Sequence, residues 1–260
     1  MTSSIMTRIE AGVATLTLNR PKEMNAFDAD TARTIVEAVE GFAADTDVRV
    51  LVVAGEGPSF SAGGDFNWVL TWPSLDAITR RVGADAMMGA VQAIYDFPKP
   101  SIARVHGAAV GGGVGLMLAC DFAIAASGAR FGLTSARNGL LAGIAIPVLI
   151  QAVGPRVARQ LLMHGGLFDA ATALRLGLVD QVVEADALDE TVATLAGELL
   201  RGAPSVQALV KKLITEIDAT PHDSTAADLV GEHVARQCVT EEALEGMSAF
   251  LEKRRPRWAV

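Results

Sequence analysis

The chain has 260 residues, half of them hydrophobic, and a formal net charge of −8. That is enough apolar mass for one large domain, or a domain with an appendage. The acidic balance carries no basic stripe of the kind nucleic-acid binders show.

Two cysteines, Cys120 and Cys238, form no CxxC pair, and the opening MTSSIMTRIEAG has no continuous apolar core. The longest apolar runs fall short of the roughly 20 residues a spanning helix needs. A cytoplasmic protein with no membrane and no nucleic-acid partner is expected.

In ATLTLN (14–19), Leu16 and Leu18 alternate with Thr15 and Thr17, the period of a half-buried strand. Asp28 then reads as an N-cap. Ala32, Ile35, Val39 and Phe42 follow at helical spacing, which predicts an amphipathic helix over 29–43. VRVLVVAG (48–55) is a compact buried strand that breaks at GEGPS and resumes as FSAGGDF (60–66). Residues 84–95 read as a helix stopped by FPKP. SIARVHG is a strand running into the glycines Gly111, Gly112, Gly113 and Gly115; GLMLAC continues as helix, and DFAIAA is another strand. Strand, glycine turn and helix recur, and the strands are too apolar for a one-sided sheet. The pattern predicts an α/β fold of repeated β-β-α units.

Later elements read as mostly helical. Pro155 suits a first helical position. Asp169 caps a short helix ending at Gly177, and Asp186 caps the next, with Leu188, Val192, Leu195 and Leu199 on one face. Val206, Leu209, Val210, Leu213 and Ile217 stripe another. No strand is evident beyond about Arg201. Residues 1–200 therefore read as the core, and 201–260 as a helical C-terminal region, either a small domain or an arm for another subunit. The cluster Lys253, Arg254, Arg255 and Arg257 reads as a solvated tail or as a contact with phosphate or a neighbouring subunit.

Standard chemical motifs are missing. His106, His164, His222 and His233 are scattered without HxH or HExxH spacing, so no metal site is expected. There is no GxxxxGK and no GxSxG. GGGVGL fails GxGxxG because Leu116 holds the last position. His106, at a strand end beside the glycines, reads as a structural histidine or as a base. What remains is backbone. FSAGGDF and AVGGGVG (109–115) share one layout: a strand, small residues and glycine, then a helix. Glycines there allow close backbone approach and leave amide N–H groups free. Two such amides aimed at one point make an oxyanion hole; tight helix–strand packing is the other reading.

Together, in this order, these segments resemble the enoyl-CoA hydratase/isomerase (crotonase) family. The resemblance covers nearly the whole chain. It also rests on LNRPKEMNAF (18–27), PKPSIARVHGAAVGGGVGLMLACDFAIAA (98–126), ARFGL (129–133) and LFDAATALRLGLVDQVV (167–183). GDFNW, GGGVGL and FLEKRRPRW look closest to methylglutaconyl-CoA hydratases. The resemblance implies a crotonase-like spiral of β-β-α units, a C-terminal trimerisation region, and homotrimers or dimers of trimers. It implies an acyl-CoA thioester substrate and no separate cofactor, since CoA is part of that substrate.

The resemblance assigns the thioester oxygen to the N–H groups of Gly64 and Gly112. It places Met24, Ala62, Gly63, Asp65, Phe66, Val110 and Gly111 along the substrate, with Asp65 also suited to cap the following helix. Trp68 and Trp72 either close the acyl pocket or simply pack. The family's hydratases add water with two glutamates. Here Gly115 stands in the first position and Ser135 in the second, and Ala142 replaces a usual proline. Water addition needs both a base and an acid. The family default, hydration or dehydration of a 2-enoyl-CoA, is thus set against decarboxylation, isomerisation or thioester hydrolysis, and against a non-catalytic acyl-CoA-binding protein.

Overall fold

The computed structural model describes residues 3–218 and 224–259; His222 lies outside them. The chain begins with a hairpin of β1 (Ile5–Glu10) and β2 (Val13–Leu18), paired from Ile5↔Leu18 to Glu10↔Val13. Its two-residue turn puts both Ala11 and Gly12 at positive φ (47° and 83°), the geometry that matches strand twist. The helix α1 (Ala29–Ala44) starts where Asp28 accepts the Thr31 N–H at 2.9 Å, and buries Ala32, Ile35, Val39 and Phe42 as expected. Next come β3 (Val50–Gly55), buried throughout, the four-residue α2 (Phe66–Val69) and α3 (Ala77–Tyr95). The helix α3 starts seven residues before the expected 84, capped by Asp76. Its first two turns are largely exposed, with Ile78 and Val82 facing outward, so no buried apolar stripe announced them.

The middle of the chain supplies β4 (Ser101–Val105), β5 (Ala108–Val110), α4 (Gly112–Leu118), β6 (Phe122–Ala126) and β7 (Arg130–Gly132). Helix α5 (Ile146–His164) is two segments meeting at Gly154, whose φ of 72° breaks the helix, and Pro155 opens the second. Then follow β8 (Leu167–Asp169), α6 (Ala170–Arg175), β9 (Gln181–Val183) and α7 (Leu188–Leu199). Asp169 caps α6 through the Thr172 N–H, as its position predicts. Asp186 does not cap α7: Ala187 holds that position without a side-chain bond. After Arg201 the described residues form only helices, α8 (Pro204–Asp218), α9 (Ser224–Gln237) and α10 (Glu241–Leu251).

The strands make two sheets. One runs β1-β2-β3-β4-β6-β9, parallel except for the first hairpin; the other is β5-β7-β8. Two isolated bridges, Ser61↔Ala109 and Phe27↔Gly64, carry the small sheet's direction onward, and these are all the pairing that FSAGGDF forms. The main core lies on the α1–α3–α4 side of the large sheet, and α7 covers the other side with Leu188, Val192 and Ala196. Cys120 belongs to the packing: burial pushes its thiol pKa up, so it acts as a small hydrophobe.

The helical C-terminal region is fastened to the core by Arg49, whose guanidinium donates to the carbonyls of Gly202 (2.8 Å), Trp258 (3.4 Å) and Leu200 (3.5 Å). Within the basic cluster, Arg254 binds Glu245 at 2.7 and 3.0 Å, and Arg257 donates its backbone N–H to the same carboxylate. The hydrogen bond from Arg254 holds the Glu245 pKa at about 2, below its ordinary 4.5. A carboxylate with a lowered folded-state pKa stabilises the fold above its unfolded pKa, and that contribution is lost as pH falls through the folded value. Urea unfolding of wild type and Glu245→Gln should therefore differ most near neutral pH. The gap should narrow below about pH 4.5 and close near pH 2.

Candidate active site

Two loops from separate parts of the chain meet at the edge of the small sheet, where Ser61 bridges Ala109. The first follows β3. Phe60 donates its N–H to His106 O, and Ser61 exchanges bonds with Ala108 O and the Val110 N–H, each at 2.9 Å. From Ala62 onward the loop turns to residues 24–27: Ala62 donates to Met24 O, Phe27 to Gly63 O, and Asp65 to Phe27 O (2.8–3.0 Å). Successive N–H groups of an extended segment point to opposite sides. Since Asp65 N–H faces Phe27, Gly64 N–H faces away from it.

The second loop opens α4. Gly111 takes a φ of 54° and donates its N–H to Gly132 O. Glycines let the loops touch. A Cβ on Gly63, whose φ is +87°, would lie 2.6 Å from Gly112 N and 2.5 Å from Val110 O. A Cβ on Gly113 would lie 2.3 Å from Ser61 O. No other side chain fits such a contact. Among the described residues, neither Gly64 N–H nor Gly112 N–H finds an acceptor. The first-turn amides of a helix lack intrahelical partners, which accounts for the second.

Residues the sequence did not single out hold this frame. Asn25 is buried at a φ of 55°. Its side-chain amide donates to Glu56 O (2.8 Å) and Ser59 O (2.7 Å) and accepts the Arg20 N–H (2.8 Å). The Ser61 hydroxyl donates to Asn25 O and accepts the Gly63 N–H at 3.1 Å. Asparagine tolerates the left-handed conformation better than most residues, so the MN pair after RPKE was the available signal. Phe27, fully buried, lies 3.1 Å from where a Gly112 Cβ would be, and Ile144 lies 2.5 Å from it. Met87 on α3 approaches the Gly64 Cβ position at 3.7 Å. Nothing local in the sequence marks Met87 or Ile144, because each arrives from a distant element.

The expected site residues fall together. Ala62, Gly64 and Val110 are half-buried, Gly63, Gly111 and Gly112 are buried, and the side chains of Met24 and Phe66 are exposed at the rim. Ser135 sits in a short 3-10 turn after β7, its Oγ 4.0 Å from the Gly111 Cβ position. Gly115 lies one turn into α4, buried, with Ala145 Cα, Ile144 O and Val91 Cγ2 all 3.4 Å from its Cβ position. Phe27, Ile144 and Met87 thus stand beside the two glycines, and Ser135 brings a hydroxyl near Gly111.

Asp65 has both oxygens engaged. Oδ1 caps α2 through Asn67 N–H (2.9 Å) and Trp68 N–H (3.4 Å), and Oδ2 pairs with Arg20 at 2.8 Å. Removing a partly buried partner strands the other charge. Asp65→Ala should cost about 3 kcal/mol from the pair and the cap together. In a chain of this size that lowers Tm by roughly 6–12 °C. Asp65→Asn, which keeps an acceptor for the cap, should fall less in the same thermal scan.

Three other residues stand apart. His106 binds Gly57 O at 2.8 Å and Arg104 at 3.0 Å, in a groove of about 800 Å³ on the opposite face of the large sheet. It is therefore a structural histidine and not a base beside the glycines. Arg137 donates to His164 O and Asn138 to Thr134 O, both on an exposed turn. Among the described residues no group of three His, Cys, Asp or Glu could hold a metal ion, and no helix is long and apolar enough to cross a membrane.

A family model described as enoyl-CoA hydratase/isomerase matches residues 8–260. The chain belongs to the enoyl-CoA hydratase/isomerase family. The crotonyl-CoA hydratase of Syntrophomonas wolfei is 37% identical over 257 residues, covering 97% of this chain and 96% of that one. The carnitinyl-CoA dehydratase of Salmonella typhi is 34% identical over 266 residues, 99% of each chain. Among solved structures, an enoyl-CoA hydratase from Shewanella pealeana matches with a TM-score of 0.94 at 32% identity, covering 98% of this chain and 96% of that one. Pseudomonas aeruginosa AtuE matches with a TM-score of 0.93 at 31% identity over 99% and 100% of the two chains. The fold is the crotonase fold, and the protein is an enzyme of this family.

Proposed function

We propose that the protein binds an acyl-CoA thioester and stabilises its enolate with the backbone N–H groups of Gly64 and Gly112. One observation carries this reading: two unpartnered N–H groups, from two loops, lie where Gly63 packs against the Gly112 amide. A thioester oxygen accepting both gains negative charge as the enolate forms. The hole is then more complementary to that state than to the ground state. Met24, Ala62, Asp65, Phe66, Val110 and Gly111 flank the substrate, and CoA enters as part of it, with no separate cofactor.

The reaction that fits the lining best is loss of CO₂ from a malonyl-type thioester. The electron pair of the breaking C–C bond passes into the enolate, and Cα then takes a proton from water. That step needs the oxyanion hole and no protein carboxylate, and Gly115 and Ser135 supply none. Hydration or dehydration of a 2-enoyl-CoA is the second reading. It is favoured by the relatives' names, and in it the Ser135 hydroxyl positions the water. The assembly we propose is a homotrimer or dimer of trimers, which would cover the exposed Leu244, Met247, Phe250 and Leu251 of α10.

Mass spectrometry of enoyl-, methylglutaconyl- and malonyl-type CoA thioesters incubated with the protein in D₂O tests the reading. Loss of CO₂ with one deuterium at Cα is the expected result. Gain of water with deuterium at Cα would support the second reading. Binding with no change in any ester would leave a non-catalytic acyl-CoA-binding protein.

A further inference from the structure

The segment after the first loop carries two tryptophans, Trp68 on α2 and Trp72 just beyond it. Their rings stand perpendicular with centroids 5.0 Å apart. Both rest on Gly83 of α3, where a Cβ would lie 2.9 Å from Trp68 and 3.6 Å from Trp72. Met87, four residues on along the same face of α3, is the side chain that approaches Gly64. A chain leaving a thioester held at Gly64 and passing Met87 therefore reaches the tryptophan pair after about one helical turn, roughly 5.4 Å.

The Trp72 indole N–H is buried and, among the described side chains, is the one such polar atom without a hydrogen-bond partner. Buried donors in folded proteins are nearly always paired, because an unmade bond costs the full desolvation of the group. Exposed apolar side chains lie on the same segments: Phe66 on α2, Leu70 just after it, and Ile78 and Val82 on α3. A single neutral donor in such a setting suits a neutral acceptor and not a carboxylate, whose charge would stay uncompensated.

We infer that Trp72 is a specificity-determining residue: its indole N–H donates to a neutral oxygen, a ketone or hydroxyl, carried on the acyl chain beyond Cβ. The inference rests on the acyl-CoA reading above. The substrate class it names is an oxygenated acyl-CoA in place of a plain hydrocarbon chain. The acyl chain enters beside Gly83 and brings its own oxygen to the Trp72 N–H.

Calorimetric titration of two six-carbon thioesters decides it: hexanoyl-CoA, and the analogue with a ketone next to the terminal methyl. Wild type should bind the ketone about 5- to 10-fold more tightly, the worth of one ordinary hydrogen bond. Trp72→Phe keeps a ring against Gly83 but removes the donor. It should bind the two esters equally. Equal binding by wild type overturns the inference without any variant, and so does a preference that survives in Trp72→Phe. If neither ester binds wild type, the acyl-CoA reading fails, and the inference falls with it.

Discussion

Replacing Gly64 with proline should lower turnover of the responsive thioester by about 100- to 1000-fold, the usual loss when one oxyanion donor is removed. Proline has no N–H, so this variant deletes the proposed donor itself. The control is Gly64→Ala. A Cβ at Gly64 meets only Met87 Cε, at an ordinary 3.7 Å, and the residue's φ is not in the left-handed region. Alanine therefore keeps the N–H and fits the space, and should retain most of the activity. Gly112 offers no such clean contrast. Its Cβ position is 2.5 Å from Ile144, so any side chain there disturbs the packing as well as the hole. Equal activity in Gly64→Pro and Gly64→Ala would remove Gly64 from the mechanism.

The second large effect concerns Gly115 and Ser135, where the resemblance expects carboxylates. Ser135→Glu should raise hydration of crotonyl-CoA by at least about 100-fold, the lower end of what a positioned acid or base supplies. Ser135 lies half-buried on a turn whose following residues are exposed, so a longer side chain has room there. Gly115→Glu should gain nothing. Its Cβ position is 3.4 Å from Ala145 Cα and from Ile144 O, which are backbone atoms that cannot move aside as a side-chain tip can. Overpacking of that kind costs about 1–3 kcal/mol. The loop carrying Ile144 and Ala145 packs directly against the Gly115 Cβ position. If Ser135→Glu adds no hydration and Ser135→Ala abolishes the native reaction, the serine itself is the working group.

Much of this was readable from the chain because local physics and tertiary structure agree. The caps at Asp28 and Asp169, Pro155 at a helix start and the buried strands β3, β4 and β6 all sit where the sequence places them. The strand β1 was not readable, because only Ile5 of its six residues is buried and no alternation survives. The three-residue strands β8 and β9 are too short to carry a period. In FSAGGDF the extended form is stabilised by long-range bonds to residues 24–27 and 106–110, not by its own side chains. The site shows the same division. Its glycines are visible because close backbone approach demands them, and Gly115 and Ser135 stand where the resemblance expects glutamates. The frame of Arg20, Asn25 and Ser61 and the lining of Phe27, Met87 and Ile144 depend on which loops meet, and only the folded chain decides that.

The most direct measurement is the infrared difference spectrum of a thioester labelled with ¹³C at its carbonyl, bound to wild type, Gly64→Ala and Gly64→Pro. Two donors on the oxygen lengthen the carbonyl bond, so the bound stretch should lie below its position in water. The shift should persist in Gly64→Ala and shrink in Gly64→Pro, where the Gly112 N–H alone remains. A bound carbonyl that absorbs where it does in water, or a shift indifferent to the loss of the Gly64 N–H, would contradict the assignment of Gly64 and Gly112 as the oxyanion hole.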